Sequence, residues 1–384
     1  MRMNDCHYVN NERSHWHSDF WKENPDCRIV TYRDPAGWAE YALDFSHEKV
    51  RHYYLRFIRE LFERYDMDGL ELDWMRFGLC LPYGSAKSSR GLITEFIKEV
   101  RELSEICSKR TGREVQIGVR VPPELQTCLS LGYDVIEWIQ HEMVRQITIS
   151  NFLSDHWLDF PVETWKAVID QRPINLAVCI HAGITDPNIH KWILDNADIY
   201  RGSTGAALVK GADLIYLFNT CYYECDKDHG RDAMLNEILT TCGSTGTIAE
   251  KPRRHILTFK QYVAPGEPEM RKIPIALKKE GVLFLRFNIG PAPQSGQEGI
   301  IHLGFRLDKT DADSINELRN VSLWANGKKC EPVEMETPPC VTDTANVFIA
   351  WVAPQESLQT GENVVEYLAS GLEGKIVWAE IMIS

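Results

Sequence analysis

The chain has 384 residues, of which 44% are hydrophobic and 25% charged, and its 42 basic and 55 acidic residues give a net charge of −13. This length exceeds what one hydrophobic core usually organises, so we expect two domains. The acidic balance speaks against a nucleic-acid or anionic-membrane partner, since both require clustered Lys and Arg. No apolar run reaches about 18 residues, so no membrane span is predicted.

The eleven cysteines show no CxxC pair and no regular spacing, and several lie inside apolar runs, as Cys179 does in LAVCIH. This usage predicts buried free thiols in a reducing compartment. The first residues are polar and lack the apolar segment of a signal peptide, so the sequence as it stands predicts a cytoplasmic protein. His15 and His17 flank Trp16 in an HWH pattern near Asp5. Without paired ligands at the usual spacing, we predict no metal site and no cofactor.

Residues 1 to about 250 alternate short apolar runs with helical patterns. The runs are 2–8, 69–75, 115–122, 145–152, 175–183 and 213–220. Amphipathic segments such as HEKVRHYYLRFIRELFERY separate them. Strands that alternate with helices indicate βαβ units and a parallel sheet. Because no Gly-rich phosphate loop follows any run, a (β/α)8 TIM-type barrel fits this half better than an open sheet.

The pattern changes around residue 255. Helical periodicity disappears, and about seven short strand-like segments with polar breaks follow, among them GVLFLRFNIG, IIHLGFRLD and NVFIAWVA. Asn326-Gly327 is a strong hairpin-turn signal. This succession of short strand-like segments predicts an all-β sandwich. We therefore predict a barrel domain over residues 1–252 and a C-terminal β-sandwich domain over residues 253–384.

The segment YDMDGLELDWMRF (65–77) carries the strongest functional signal. Residues two apart in a strand share a face, so Glu71 and Asp73 point together into the barrel while the intervening leucines pack on helices. Placing two acids on one buried face is costly and raises the pKa of one of them, which a purely structural role does not require. The structural alternative for Glu71 is an ion pair with Arg120.

Five segments match a known pattern: RMND.H (2–7), LDFSHEKVR (43–51), YDMDGLELDWMRF (65–77), GYDVIEWI (132–139) and GADLIYLFN (211–219). Together they resemble a glycosyl-hydrolase-like barrel family, related to the family-10-like group found in polysaccharide-degrading bacteria. The resemblance implies a barrel glycosidase with a C-terminal sandwich and does not supply a substrate. It makes RMND the third barrel strand and leaves the first two without a counterpart. Such an incomplete barrel has an open sheet edge, which a homo-oligomer could cover.

Glycoside hydrolysis needs two carboxyl groups that flank the scissile bond. In related barrel hydrolases the nucleophile lies on strand four, here GLELDW, and the acid on strand four or six. We therefore predict Asp73 as nucleophile or base, and Asp155 or Glu71 as the acid. Polar groups suited to sugar hydroxyls follow the other strands, and Trp74 offers a ring to a pyranose face. The predicted substrate-binding residues are Asn4, Asp5, His7, Trp74, Arg76, Arg120, Asn151, His181 and Asn219.

The leading prediction is a glycoside hydrolase that acts on an oligosaccharide or glycoside. A second hypothesis is a non-catalytic carbohydrate-binding or assembly protein on a degenerate barrel, which the missing strands favour and the intact acid pair opposes. A third is another barrel hydrolase or lyase that uses Asp5, His7 and Glu71. Loss of turnover in Asp73→Asn would support the first of these, and sensitivity to chelators the third.

Overall fold

The computed structural model describes residues 1–4, 14–151, 158–181, 184–185, 192–194, 196–218, 220, 231–257, 264–268, 273–335, 345–368 and 371–384. The chain divides into two compact units. Unit 1 comprises Met1–Phe152, Glu163–Ala177 and Val263–Pro268, and unit 2 comprises Leu153–Val162, Val178–Tyr262 and Glu269–Ser384. The sequence-based boundary between residues 252 and 253 remains a prediction. Across the described residues, no helix combines the length and the apolar character that crossing a bilayer requires.

Helices and strands alternate through the first two thirds of the chain, as the apolar runs predict. In chain order they are α1 (Asp19–Glu23), α2 (Glu48–Arg64), β1 (Gly69–Asp73), α3 (Ala86–Thr111), β2 (Gln116–Val121), α4 (Leu125–Leu131), α5 (Val135–Gln140), β3 (Gln146–Ser150), α6 (Val162–Ile169), β4 (Asn175–His181), β5 (Ile184–Thr185), β6 (Trp192–Leu194), α7 (Ala197–Val209), β7 (Leu214–Phe218), α8 (Arg231–Thr241) and α9 (Thr245–Ala249). Two 3-10 helices, Pro25–Cys27 and Trp38–Tyr41, lie between α1 and α2.

The predicted parallel sheet is present and has five strands in the order β1-β2-β3-β4-β7. The β1–β2 and β2–β3 pairs are parallel, with Leu72 opposite Val119 and Val119 opposite Ile147. These apolar side chains are fully buried, as expected for a parallel strand whose outer face packs on helices. The described residues form an open run of five strands, so closure into an eight-stranded barrel remains a prediction.

The first predicted strand, residues 2–8, is described only as far as Asn4. Within that stretch Arg2 forms an isolated parallel bridge with Asp73, and the amide of Met3 donates to the Asp73 carbonyl oxygen at 3.2 Å. The start of this run therefore lies alongside β1.

Helices α2 and α3 of unit 1 form where the amphipathic segments predict them. The buried face of α2 carries Val50, Tyr54 and Ile58 at helical spacing. Helix α3 ends at Gly112, whose φ of 73° is the left-handed conformation that glycine adopts most readily at a helix C-terminus.

Antiparallel sheets fill the C-terminal part of unit 2. Its strands are β8 (Arg253–Ile256), β9 (Ile275–Ala276), β10 (Val282–Ile289), β11 (Gly299–Leu307), β12 (Leu323–Ala325), β13 (Lys328–Lys329), β14 (Glu331–Val333), β15 (Val347–Ala353), β16 (Gly361–Leu368) and β17 (Gly374–Ile383). One sheet has the order β10-β16-β12-β13. The other has the order β14-β15-β11-β17-β8, with β9 also paired to β17. The predicted hairpin turn at Asn326-Gly327 joins β12 to β13, with φ values of 49° and 76°.

Both antiparallel sheets contribute to one hydrophobic cluster. It includes Leu285 and Val365 from the four-stranded sheet, and Leu303, Trp351 and Ile381 from the six-stranded sheet. Alternation of buried and exposed side chains along β10 and β16 accounts for this one-sided packing.

The prediction that no helix follows residue 255 is wrong, because one helix lies beyond it. Helix α10 (Ala312–Asn320) lies between β11 and β12. Asp311 caps it, because its Oδ1 accepts from the Ser314 amide at 2.8 Å. An aspartate just before a short amphipathic stretch is the signal that the sequence reading overlooked.

Candidate functional site

The carboxyl ends of β1, β2 and β3, which belong to unit 1, present a polar face. The strand registers place Asp73 opposite Arg120 and Arg120 opposite Thr148. Side chains in register on adjacent parallel strands point to the same side of a sheet, and Glu71 joins them because it precedes Asp73 by two residues. Four polar side chains from β1, β2 and β3 therefore share one face, defined here as the acid–arginine face: Glu71, Asp73, Arg120 and Thr148.

Asp73 is held in an ion pair on this face. Arg120 Nη1 lies 2.8 Å from Oδ1 and 2.8 Å from Oδ2 of Asp73. The Met75 amide also donates to Oδ1, at 3.0 Å. Asp73 is 7% exposed and Arg120 is 1% exposed. Charge-assisted hydrogen bonds of this kind fix the orientation of a carboxylate firmly when they are shielded from water.

Glu71 has a weaker set of partners than Asp73. Its Oε2 accepts a hydrogen bond from Thr148 Oγ1 at 2.8 Å. Burial raises the pKa of Glu71, the Thr148 hydrogen bond opposes that shift, and the negative charge of Asp73 adds to it. Both contacts of Arg120 Nη1 go to Asp73, while the positive charge of Arg120 acts to lower the pKa of Glu71; an ion pair between Glu71 and Arg120 stays a prediction.

Space remains beside Glu71 because the residue opposite it on β2 is Gly118. A Cβ atom added at Gly118 would lie 3.7 Å from Cβ and Cγ of Glu71, which is ordinary van der Waals contact. The absence of a side chain there leaves one flank of the Glu71 carboxyl group uncovered by its strand neighbour.

Two predicted substrate-binding residues have structural roles. Asn4 is 1% exposed; its Oδ1 accepts from the Leu43 amide at 3.0 Å, and its Nδ2 donates to the Leu43 carbonyl at 3.1 Å. Both ends of its amide are thus engaged by the backbone. Trp74 has no exposed surface, and its ring packs against Phe45 and Tyr133 at centroid distances of 5.3 and 5.4 Å. The prediction that Trp74 is a sugar platform is wrong, because its position in the strand points it into the apolar core.

Three further predicted residues are buried or nearly so. Arg76 is 9% exposed, with its guanidinium 4.7 Å from the centre of the Phe77 ring. Asn151 follows β3 and is 7% exposed. His181 ends β4 in unit 2, is 6% exposed, and lies 5.7 Å from the Phe218 ring. Their roles in binding remain predictions.

Four predicted site residues lie outside the described part of the chain: Asp5, His7, Asp155 and Asn219. The preferred acid, Asp155, is among them, so the structure does not describe the predicted Asp73–Asp155 pair. The alternative pair is described, because Glu71 and Asp73 share the acid–arginine face.

Sequence reasoning missed Thr148, which is fully buried and donates to Glu71. Its signal was present in the run RQITIS, where Gln146, Thr148 and Ser150 are polar at every second position. Such alternation in a strand of a parallel sheet marks one polar face. Because the site prediction considered only residues near the C-terminal end of each run, it did not include Thr148.

Comparison with known proteins adds structural likeness only. No family model matches the chain, and no curated protein matches it. A family 18 glycoside hydrolase, an N-acetylglucosaminidase from Paenibacillus barengoltzii, is similar to 50% of this chain over 77% of its own, with 10% identity and a TM-score of 0.33. The PgaB (BpsB) glycoside hydrolase domain from Bordetella bronchiseptica covers 54% of this chain and 68% of its own, with 13% identity and a TM-score of 0.34. A GH36 alpha-galactosidase variant from Geobacillus stearothermophilus in complex with raffinose covers 88% of this chain and 42% of its own, with 9% identity and a TM-score of 0.32.

Proposed function

We propose that the chain is a glycoside hydrolase in which Glu71 and Asp73 form the carboxyl pair. The observation that carries the proposal is the asymmetry of this pair on one sheet face. Asp73 is a carboxylate fixed by Arg120, whereas Glu71 has a raised pKa and a neutral hydroxyl partner. Glycoside hydrolysis uses two neighbouring carboxyl groups in unlike environments, one of them with a raised pKa so that it can donate a proton.

In the proposed reaction, Glu71 gives its proton to the leaving glycosidic oxygen as the bond to the anomeric carbon breaks. Asp73 supplies negative charge to the electron-poor anomeric carbon, as a nucleophile or by activating a water molecule. The hydroxyl group of water ends on the sugar. If Asp73 is the nucleophile, Glu71 takes the remaining proton of water; if Asp73 activates the water, Asp73 takes that proton, and exchange with solvent returns Glu71 to its protonated form and Asp73 to its ionised form. Asp155 remains the other candidate for the proton donor.

Arg120 and Thr148 act as positioning residues in this proposal. Arg120 holds the Asp73 carboxylate in one orientation, and Thr148 holds the Glu71 carboxyl group. A carboxylate whose orientation is set before the substrate arrives reorganises less during the reaction. The same proposal includes five further features. They are a carbohydrate substrate, a closed barrel, a β-sandwich over residues 253–384, a cytoplasmic location and a homo-oligomer.

The test measures release of reducing ends from a panel of oligosaccharides and aryl glycosides. We expect Glu71→Gln to lower kcat by about 10²–10⁴-fold, because a positioned general acid contributes that much. A dinitrophenyl glycoside should be cleaved with a smaller loss, since its leaving group does not need the proton. Asp68→Asn is the matched control, because Asp68 is 93% exposed and pairs with Arg113 before β1 begins. Wild-type-like rates in Glu71→Gln would contradict the proposal.

A second candidate function is a carbohydrate-binding protein without turnover. The observation that favours it is the enclosure of Asp73, which is only 7% exposed and receives hydrogen bonds from Arg120 and Met75. Saccharide binding by calorimetry that survives Asp73→Asn, with no turnover by the parent protein on the whole panel, would favour this candidate over hydrolysis.

A further inference from the structure

A second group of chemically reactive side chains lies in unit 1, between α1 and α2. A carboxylate oxygen of Asp26, the Sγ atom of Cys27 and an imidazole nitrogen of His47 all lie within 4.8 Å of one another. Cys27 is fully buried, Asp26 is exposed, and His47 is partly exposed. The group thus combines a thiol, an imidazole and a carboxyl group around one point near the surface.

Asp44 contacts one member of this group, His47, from the buried side. Its Oδ2 lies 3.6 Å from Nε2 of His47, and its side chain is 5% exposed. Its Oδ1 accepts from the Ser46 amide at 2.7 Å, which leaves Oδ2 directed toward the imidazole.

The backbone sets the position of these side chains. Cys27 ends the 3-10 helix Pro25–Cys27, and its carbonyl oxygen accepts from the Asp44 amide at 2.8 Å. The next residue, Arg28, forms an antiparallel bridge with Leu43. The His47 amide donates to the Asp44 carbonyl at 3.2 Å in the turn before α2. Two segments about 20 residues apart in sequence are therefore joined where the donors meet.

The separations suit a small tetrahedral ion. With Zn–S near 2.3 Å and Zn–N or Zn–O near 2.0–2.2 Å, donors around zinc lie roughly 3.3–3.8 Å apart. Cys27 Sγ lies 4.0 Å from Asp26 Oδ2, and the donor atoms of Asp26, Cys27 and His47 all lie within 4.8 Å of one another. Small side-chain rotations, easiest at the exposed Asp26, would bring these three donors to bonding distance.

We propose that Asp26, Cys27 and His47 bind a divalent transition-metal ion of the zinc class, with Asp44 orienting the His47 imidazole. Thiolate and imidazole donors select such ions over Mg²⁺ and Ca²⁺, which take oxygen ligands. Binding replaces the thiol S–H bond with a metal–sulfur bond and releases the proton to solvent. The bound ion would tie the segment around Cys27 to the start of α2. The proposal is independent of the hydrolase proposal.

The test uses the full chain after removal of metals with a chelator. Titration with Co²⁺ alone should produce a thiolate-to-cobalt charge-transfer absorption that saturates at one equivalent, and Zn²⁺ should displace the cobalt and abolish the band. His47→Gln should weaken Co²⁺ binding at least about tenfold, because one of three protein ligands is lost. Cys27→Ser should abolish the charge-transfer band.

The chain offers a matched control for the histidine substitution and another for the cysteine substitution. His52→Gln changes an exposed histidine on α2 that pairs with Glu48, and Cys128→Ser changes another buried free thiol; both variants should keep the band and the affinity. If Cys27→Ser fails to fold, as shown by circular dichroism, His47→Gln and Asp26→Asn still decide the matter. Absence of a thiolate band with Co²⁺, or an equal loss of binding in the control variants, would overturn the proposal.

Discussion

The carboxyl groups of Glu380 and Glu71 have very different surroundings. Glu380 on β17 is fully buried in unit 2; its Oε2 accepts from Arg254 Nε and Nη2 at 2.9 and 2.7 Å, and its Oε1 lies 2.8 Å from His302 Nδ1. Glu71 in unit 1 is partly exposed and receives its side-chain hydrogen bond from the neutral Thr148. A carboxylate matched on both oxygens by basic groups serves stability, whereas one left with a neutral donor keeps a raised proton affinity that chemistry can use.

We expect the largest effect from a substitution that removes the Glu380 carboxylate from its pairing with Arg254 and His302. Glu380→Gln leaves the Arg254 guanidinium buried without its counter-charge, so we expect a loss of about 3–5 kcal/mol in the free energy of unfolding. Urea denaturation followed by circular dichroism measures it. The control is Glu362→Gln, whose carboxylate pairs with Arg286 between side chains that are 53% and 61% exposed. Because exposed pairs contribute about 0–1 kcal/mol, the control should change little. Equal effects in the two variants would contradict the distinction.

Asp73→Asn should come next, because it removes the counter-charge of an Arg120 side chain that is 1% exposed. We expect a loss of about 2–4 kcal/mol, somewhat below that for Glu380 since Asp73 keeps slight exposure. The double variant Asp73→Asn/Arg120→Gln should recover part of this loss, because no unpaired charge is left buried. A double-mutant cycle from urea midpoints gives the coupling, and simple additivity of the two substitutions would show that the pair does not interact.

Glu40 tests a third environment, in which hydrogen bonds outweigh burial. Burial acts to raise its pKa, but hydrogen bonds from Arg33, Tyr83 and the amides of Ala36 and Gly37 lower it to about 2. A depressed folded-state pKa contributes stability above the ordinary value of 4.5, and that stability is lost as the pH falls toward about 2. We expect roughly 2 kcal/mol to disappear over this window. Glu40→Gln should remove this part of the pH dependence, and identical slopes for variant and wild type would contradict it.

Glu71→Gln should have the smallest effect on stability, and one of opposite sign. A raised folded-state pKa contributes stability that is fully present below the ordinary value and is lost as the pH rises through the folded value. At neutral pH the neutral amide therefore avoids a desolvated charge, and we expect no loss or a gain of up to about 1 kcal/mol. Urea midpoints at pH 4 and pH 7 check the sign, with Asp68→Asn as control. A loss above about 1 kcal/mol at pH 7 would place Glu71 with Glu380 as a structural carboxylate.

The sequence predicted the face of β1 correctly but not the partners on it. Alternation in GLELD placed Glu71 and Asp73 together, and the structure agrees. The choice of Asp73 over Glu71 as the partner of Arg120 depends on the stagger between β1 and β2, which pairs Asp73 with Arg120 and Glu71 with Gly118. Strand register arises from packing between separate segments, so neither segment contains it alone.

Trp74 is a different case, because the sequence alone contained enough information to predict its burial. Its place at the end of a strand suggested exposure, but a residue one position after Asp73 points to the opposite face and enters a cluster with Phe45, Phe96 and Tyr133. Period-two alternation alone was sufficient to predict this burial. The burial of Asn4 could not be predicted in this way. Its hydrogen bond with the Leu43 backbone joins residues 39 positions apart, so no local sequence pattern indicates it.

Local periodicity determined the parallel sheet, its helices and the antiparallel strands of the C-terminal region, because apolar spacing reflects which face of each element is buried. The hairpin at Asn326-Gly327 followed from the conformations that these residues favour. Only the tertiary structure decided which polar groups meet: Arg120 with Asp73, Arg254 with Glu380, and Cys27 with His47. Those contacts form between segments distant in sequence, and side-chain electrostatics act over a few ångströms in space regardless of separation along the chain.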